Sequence, residues 1–288
     1  LASSAASDVY KRQEKTEIID EVQGSIIDSI PSVNQVQIKI PETDYQGLKR
    51  TIEIIEEKEG VLAATSDIVV PIDMSSRKEF KAENPKKDYT NKADWYQKIG
   101  AESFEQYKTS HINVGVVDVG FDFNHADVDI VDLSKIRSKK KDHGTHVAGI
   151  IADNTPENVS LMILKTFDGA GKSTNLAIRS ALQYAVEQKA DVVNMSLGWT
   201  GTLWAYSTYL KDVLKEAETT GTIICCAAGN KAMDVRTTYP ANKENVITVS
   251  AINSNGIFAA SYSNYGETID FSAPGTSCLL YTSPSPRD

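Results

Sequence analysis

From Ile112 onward the chain alternates short apolar runs with amphipathic stretches, strand then helix, and this alternation restricts the fold more than any other feature. Alternating or continuous apolar runs predict strands over Ile112–Asp118, Ser160–Phe167, Asp191–Leu197, Thr222–Ala228 and Val246–Ile252. Helical spacing predicts helices over Gly144–Ala152, Ser173–Gln188 and Trp204–Thr219. The run Ile223-Ile224-Cys225-Cys226-Ala227-Ala228 has no polar alternation, which is expected of a strand covered on both faces. The expected class is therefore α/β, a parallel sheet flanked by helices on both faces and joined by right-handed crossovers.

The region before this sheet reads differently. Gly24–Ser29 and Gln35–Ile40 alternate like strands, with a turn expected at Pro31-Ser32-Val33-Asn34. Thr43 is placed to cap a helix over Asp44–Lys58, whose Leu48, Ile52 and Ile55 share one face. Val61–Val70 reads as further strand. Together these form a small ferredoxin-like α+β unit over residues 14–73. Residues 74–92, rich in Lys, Glu and Asn, read as a linker to the main domain, 93–277. The two ends, Ser3–Gln13 (SSAASDVYKRQ) and Cys278–Asp288 (CLLYTSPSPRD), resemble translated sequencing-library adapters. Residues 1–13 and 278–288 are accordingly set aside from the fold, and the remainder is expected to be an internal piece of a longer chain.

Composition narrows the function classes. A formal net charge of -9 argues against a nucleic-acid partner, and the run Lys139-Lys140-Lys141 is too short to reverse that. No apolar stretch reaches the ~20 residues needed to span a bilayer. The three cysteines form neither a disulfide framework nor a Cys-x-x-Cys metal site.

Catalytic groups of open α/β sheets gather at the carboxyl ends of the strands. Asp118 ends the first strand, Ser196 lies near the end of the third, and Asn230 follows the fourth. A carboxylate at the tip of a buried strand is costly unless it is paired. His143 stands at a predicted helix start, where Gly144, Ala148 and Gly149 permit close packing on the sheet. An Asp that holds a His in one tautomer lets that His take a proton from a nucleophile. The Asn230 amide could donate to a developing oxyanion, and Ser196-Leu197-Gly198 could pair with an extended peptide. His143 and His146 could suggest a zinc pair, but the glutamate of H-E-x-x-H is absent. Gly171-Lys172-Ser173 has the context of a phosphate loop, but Thr166 replaces the first glycine of that motif.

Taken in order, VVDVGFD (from Val116), HGTHVAG (from His143), NMSLG (from Asn194), AAGN (from Ala227) and SAPG (from Ser272) resemble the subtilisin-like serine proteases, the subtilases, across about Asp94–Gly275. The resemblance implies an endopeptidase in which Asp118 orients, His143 is general base and then general acid, Asn230 is the oxyanion donor and Ser196, Leu197 and Gly198 bind substrate. That mechanism is the one established for subtilisin itself, and it comes to this chain through the resemblance alone. The resemblance further implies that His146 is structural, that peptide or protein substrates are the partners, and that residues 14–73 are a propeptide acting as an intramolecular inhibitor. A secreted or cell-envelope location is expected.

Three departures from the family pattern stand out. Gly275-Thr276-Ser277 mimics the nucleophile motif but follows Phe271-Ser272-Ala273-Pro274 too closely, so the real serine is expected beyond the adapter-like break and the chain as given is expected to be inactive. The alternative is a pseudoprotease that binds peptides without cutting them. The loop Ala152–Ser160 is short, so no cofactor and no strong calcium site is expected at Asp127. Trp199 stands where relatives often carry a small residue, either narrowing the cleft or anchoring the next helix. The small walls near Cys226–Gly229 suit a large apolar substrate side chain.

Overall fold

The computed structural model describes residues 15–30, 35–61, 64, 66, 67, 69–71, 110–119, 121, 143–156, 158–167, 171–200, 210–253 and 255–276. The chain divides into two compact units, Leu1–Ile68 and Val69–Asp288.

In the first unit a helical stretch over residues 15–21 leads into β1 (Ser25–Ile30) and β2 (Gln35–Lys39), which pair antiparallel with an irregularity between Ile26 and Asp28. The expected turn between them lies outside the described residues. Helix α1 (Tyr45–Glu56) follows. Its cap is Asp44 rather than Thr43: the Asp44 carboxylate accepts from Gly47 N at 2.7 Å, one residue closer to the first turn. Leu48, Ile52 and Ile55 form its half-buried face, as their spacing predicts.

Among the described residues the expected strand Val61–Val70 is strand only at β3 (Val69–Pro71), which opens the second unit and pairs with neither β1 nor β2. It pairs antiparallel with β6 (Lys172–Thr174) of the same unit, whose open backbone groups offer it hydrogen bonds.

The second unit is built on a six-stranded sheet in which every neighbouring pair is parallel. Its strands are β4 (Ile112–Asp118), β5 (Val159–Lys165), β7 (Val192–Met195), β9 (Ile223–Ala227), β11 (Ile247–Ile252) and β12 (Phe271–Pro274). The spatial order is β12-β11-β9-β7-β4-β5. From β4 the chain steps outward to β5 and then returns across β4 to β7, so strand order reverses at β4. Such a switch point opens a crevice at the carboxyl edge.

Three helices make the crossovers: α2 (His143–Asp153), α3 (Asn175–Glu187) and α4 (Lys211–Thr220). Helix α3 starts two residues later than Ser173, because Lys172–Thr174 are extended in β6 and Thr174 Oγ1 caps the helix through Ala177 N at 3.2 Å. The first half of the predicted helix Trp204–Thr219 falls largely outside the described residues.

Two apolar layers sandwich β4. Val117, Leu164, Ile178, Leu182, Val193 and Leu214 belong to the layer that includes α3 and α4, whereas Val114, Val116, Ile163 and Ala148 belong to the layer under α2. Fully burying such a side chain contributes about 1.5–3 kcal/mol. Double coverage does not extend along the whole sheet. In β9, Ile224 and Cys226 are buried while Ile223 is 48% exposed, an alternation that the apolar sequence of this strand conceals. The reason is geometric: among the described residues α2 packs on β4 and β5, not on β9.

Candidate active site

The carboxyl end of β4 and the start of α2 are tied together by the backbone. Gly144 N donates to Val119 O at 2.8 Å. A side chain at 144 has no room, since its Cβ would stand 2.6 Å from Val119 O and 2.7 Å from Phe121 Cζ. The glycine therefore allows the helix to start against the strand end, and the residue before it, His143, comes to lie beside Asp118.

His143 Nδ1 and Asp118 Oδ1 are 2.6 Å apart. The same carboxylate oxygen accepts from Val119 N at 2.6 Å. Asp118 is fully buried, while the imidazole is partly exposed at 27%. With Nδ1–H donating to the carboxylate, Nε2 carries the lone pair and can take a proton. Burial pushes the Asp118 carboxyl above its ordinary value, opposed by the His143 hydrogen bond and charge and by the Val119 N–H. Its Oδ2 is buried and has no hydrogen-bond partner among the described residues. A buried acid perturbed in this way is characteristic of functional sites.

Ser196, Leu197, Gly198 and Asn230 come together in a second feature, an open cleft at the carboxyl ends of β7 and β9. Asn194 Nδ2 donates to Ser196 Oγ at 2.9 Å and orients the start of this segment. Asn230 is half-buried and hydrogen-bonds none of the described residues, so both amide donors remain available. Strands β4 and β9 flank β7, which sets the Asp–His pair and the Asn230 loop about 10 Å apart along the same sheet edge.

Trp199 lines this cleft and is also an anchor. It is 8% exposed and packs on Tyr239 with ring centroids 5.0 Å apart, while Tyr239 Oη accepts from Leu210 N just before α4. The two short strands β8 (Trp199–Thr200) and β10 (Thr238–Tyr239) pair antiparallel and close one side of the cleft.

One structural residue is invisible in the sequence. Asn264 is wholly buried, and its Nδ2 donates to Ala228 O at 2.9 Å and Thr238 Oγ1 at 2.8 Å. Its Oδ1 accepts from Lys231 N at 3.0 Å and Met233 N at 3.2 Å. The side chain thereby holds the backbone on both sides of Asn230. Gly229, at φ +103°, passes so close that a Cβ would lie 2.6 Å from Asn264 Nδ2. No local pattern flags position 264, because its partners lie 26–36 residues earlier in the chain.

His146 is exposed on α2, and among the described residues no group of three His, Cys, Asp or Glu side chains could hold a metal ion. Asp127 and Ser277 lie outside the described residues. Lys172 and Ser173 sit in a β-strand, which is not a phosphate-cradling loop.

A parallel sheet carrying a buried Asp–His pair beside a cleft at its carboxyl edge has the layout of open α/β enzymes, whose sites lie at the carboxyl ends of the strands. Comparison with known proteins narrows the class. The subtilase family, peptidase S8, matches residues 109–288. Subtilisin DY of Bacillus licheniformis is 35% identical over 196 residues, covering 62% of this chain and 69% of that protein. Subtilisin E of Bacillus subtilis strain 168 is 28% identical over 282 residues, covering 91% of this chain and 67% of that protein. The crystal structure of a cold adapted subtilisin-like serine proteinase aligns with a TM-score of 0.50 at 28% identity, covering 58% of this chain and 63% of that one. The chain belongs to the subtilase family of serine peptidases.

Proposed function

We propose that this protein is a serine endopeptidase whose triad is Asp118, His143 and a serine beyond the sequence given. The observation that carries the reading is the 2.6 Å contact between His143 Nδ1 and the buried Asp118 carboxylate. Asp118 holds the imidazole in one tautomer and stabilises the imidazolium that forms. His143 Nε2 takes the proton from the nucleophile and returns it to the leaving amine. Asn230 donates its spare amide to the oxyanion, and Ser196–Gly198 pairs with the substrate backbone.

The propeptide-like region acts as inhibitor in cis. The antiparallel pairing of β3 with β6 supports this, because an extended segment there occupies a strand edge that a peptide could otherwise use. Action outside the cytoplasm and independence from a strong calcium site belong to the same reading. Calorimetric titration detecting no tight calcium binding is the expected result for the second point.

On this reading Ser277 is not the nucleophile. In subtilisin itself, loss of the serine costs about 10⁶ in turnover. A fluorophosphonate probe should leave this chain unlabelled at Ser277 and should label a chain extended through the natural reading frame. Labelling at Ser277 overturns the truncated reading. An extended chain that neither labels nor cleaves casein overturns the peptidase reading and leaves a peptide-binding pseudoprotease.

A further inference from the structure

Among the described residues eleven line the cleft beside Asn230, and Lys231 is the single charged one of them. The chain as a whole carries 39 acidic against 30 basic side chains, so the cation is not an extension of a basic surface. Among the described residues no carboxylate forms an ion pair with it. Lys231 Nζ instead donates to Thr200 Oγ1 at 2.8 Å. Thr200 belongs to β8 on one wall, whereas Lys231 follows Asn230 on the other, so the side chain bridges the cleft walls. Its backbone is fixed as well, through Lys231 N to the buried Asn264 Oδ1 at 3.0 Å.

An ammonium has three donors, and one is spent on Thr200. A ligand entering this cleft meets a tethered positive charge with donors to spare. Ala227, Gly229 and Thr238 leave space around it, and the apolar Leu197 and Trp199 can cover a short methylene stem. A cationic side chain would be repelled. Lys231 is exposed, so an aliphatic one would fill the space without pairing with its charge.

We propose that this cleft selects an acidic side chain, Glu or Asp, on the bound peptide, and that Lys231 is the specificity-determining residue. The inference rests on the peptide-binding reading above and replaces the apolar preference that the small walls alone suggest.

The test is binding to the chain itself, read by fluorescence anisotropy. Labelled, C-terminally amidated peptides differ only in a last residue of Glu, Gln, Leu or Lys. The Glu peptide should bind about two- to fivefold more tightly than its Gln isostere. That advantage should shrink in high salt, whereas the Leu peptide should be little affected. Lys231→Met should erase the difference, Lys231→Arg should keep it, and Lys231→Glu should shift preference to the Lys peptide. Equal binding of Glu and Gln, or a preference that survives in Lys231→Met, overturns the specificity proposal and leaves the peptide cleft standing. Binding of none of the peptides overturns the cleft reading, and the specificity proposal with it.

Discussion

Replacing Asn264 with alanine removes the side chain that holds the Asn230 loop, and the structure sets the size of the effect. The amide makes four hydrogen bonds, two as donor and two as acceptor. Its acceptors sit at Ala228 and Thr238, which are 1% and 2% exposed, so truncation strands both where water has little access. Each such loss costs about 1–3 kcal/mol. The Lys231 and Met233 amides are nearer solvent and can turn to water, which limits their loss to about 0.5–1.5 kcal/mol each. A water entering the vacated space offsets part of this, and the expected destabilisation is about 3–5 kcal/mol. Urea unfolding followed by tryptophan fluorescence should show a lower midpoint with an unchanged slope. Asn264→Asp gives a second readout. It keeps an acceptor for Lys231 N and Met233 N but sets a carboxylate oxygen against Ala228 O. Its deficit should therefore ease in acid, where the protonated acid can donate once, and grow as pH rises. A midpoint for Asn264→Ala within about 1 kcal/mol of the parent would refute the argument, because such values belong to surface positions.

Further expectations follow from the same geometry. Asp118 has its pKa raised by burial, so its protonated form is favoured in the folded state. The associated stability is full below the ordinary value of 3.8 and is lost as pH rises through the folded value. Asp118→Asn should thus gain stability relative to the parent as pH rises above 3.8, and urea midpoints in acid and at neutral pH check it. Gly144→Ala should cost about 1–3 kcal/mol and push α2 away from β4, detectable as a lower Tm. Asn230→Ala should leave Tm unchanged, since the amide bonds none of the described residues. In the reading-frame-extended chain it should lower kcat by about 10²–10³ with little change in KM, the loss seen for the equivalent change in subtilisin. Ile163→Ala, at a position 1% exposed, should cost about 2–5 kcal/mol, whereas Ile223→Ala, at 48% exposed, should cost under about 1 kcal/mol.

Much of the main domain is legible in one dimension because its determinants are local. Apolar runs of strand length and amphipathic runs of helix length place β4, β5, β7, β9 and β11 within a residue or two of their observed ends. Asp118 and His143 are legible for a similar reason: a carboxylate closing an apolar strand and an imidazole opening a helix of small residues both break the pattern around them. Short-range geometry is less legible. Thr43 and Asp44 are both competent caps, and only the backbone angle decides that Asp44 reaches Gly47 N. Residues 172–174 could open a helix or extend as a strand, and the pairing with β3 selects the strand.

What the sequence determines alone is the repertoire: a parallel α/β sheet, an acid and an imidazole near strand and helix ends, and a family signature in order. What tertiary structure decides is which residues meet. The reversal of strand order at β4 brings the chain back across Asp118, and packing buries Ile224 and Cys226 of a uniformly apolar run while leaving Ile223 exposed. The contacts of Asn264 span 26–36 residues and that of the lysine bridging two cleft walls spans 31, and neither leaves a periodic trace. Hydrophobic periodicity reports which way a side chain faces from its own strand or helix. It carries no information about the partner that a folded chain delivers to that face.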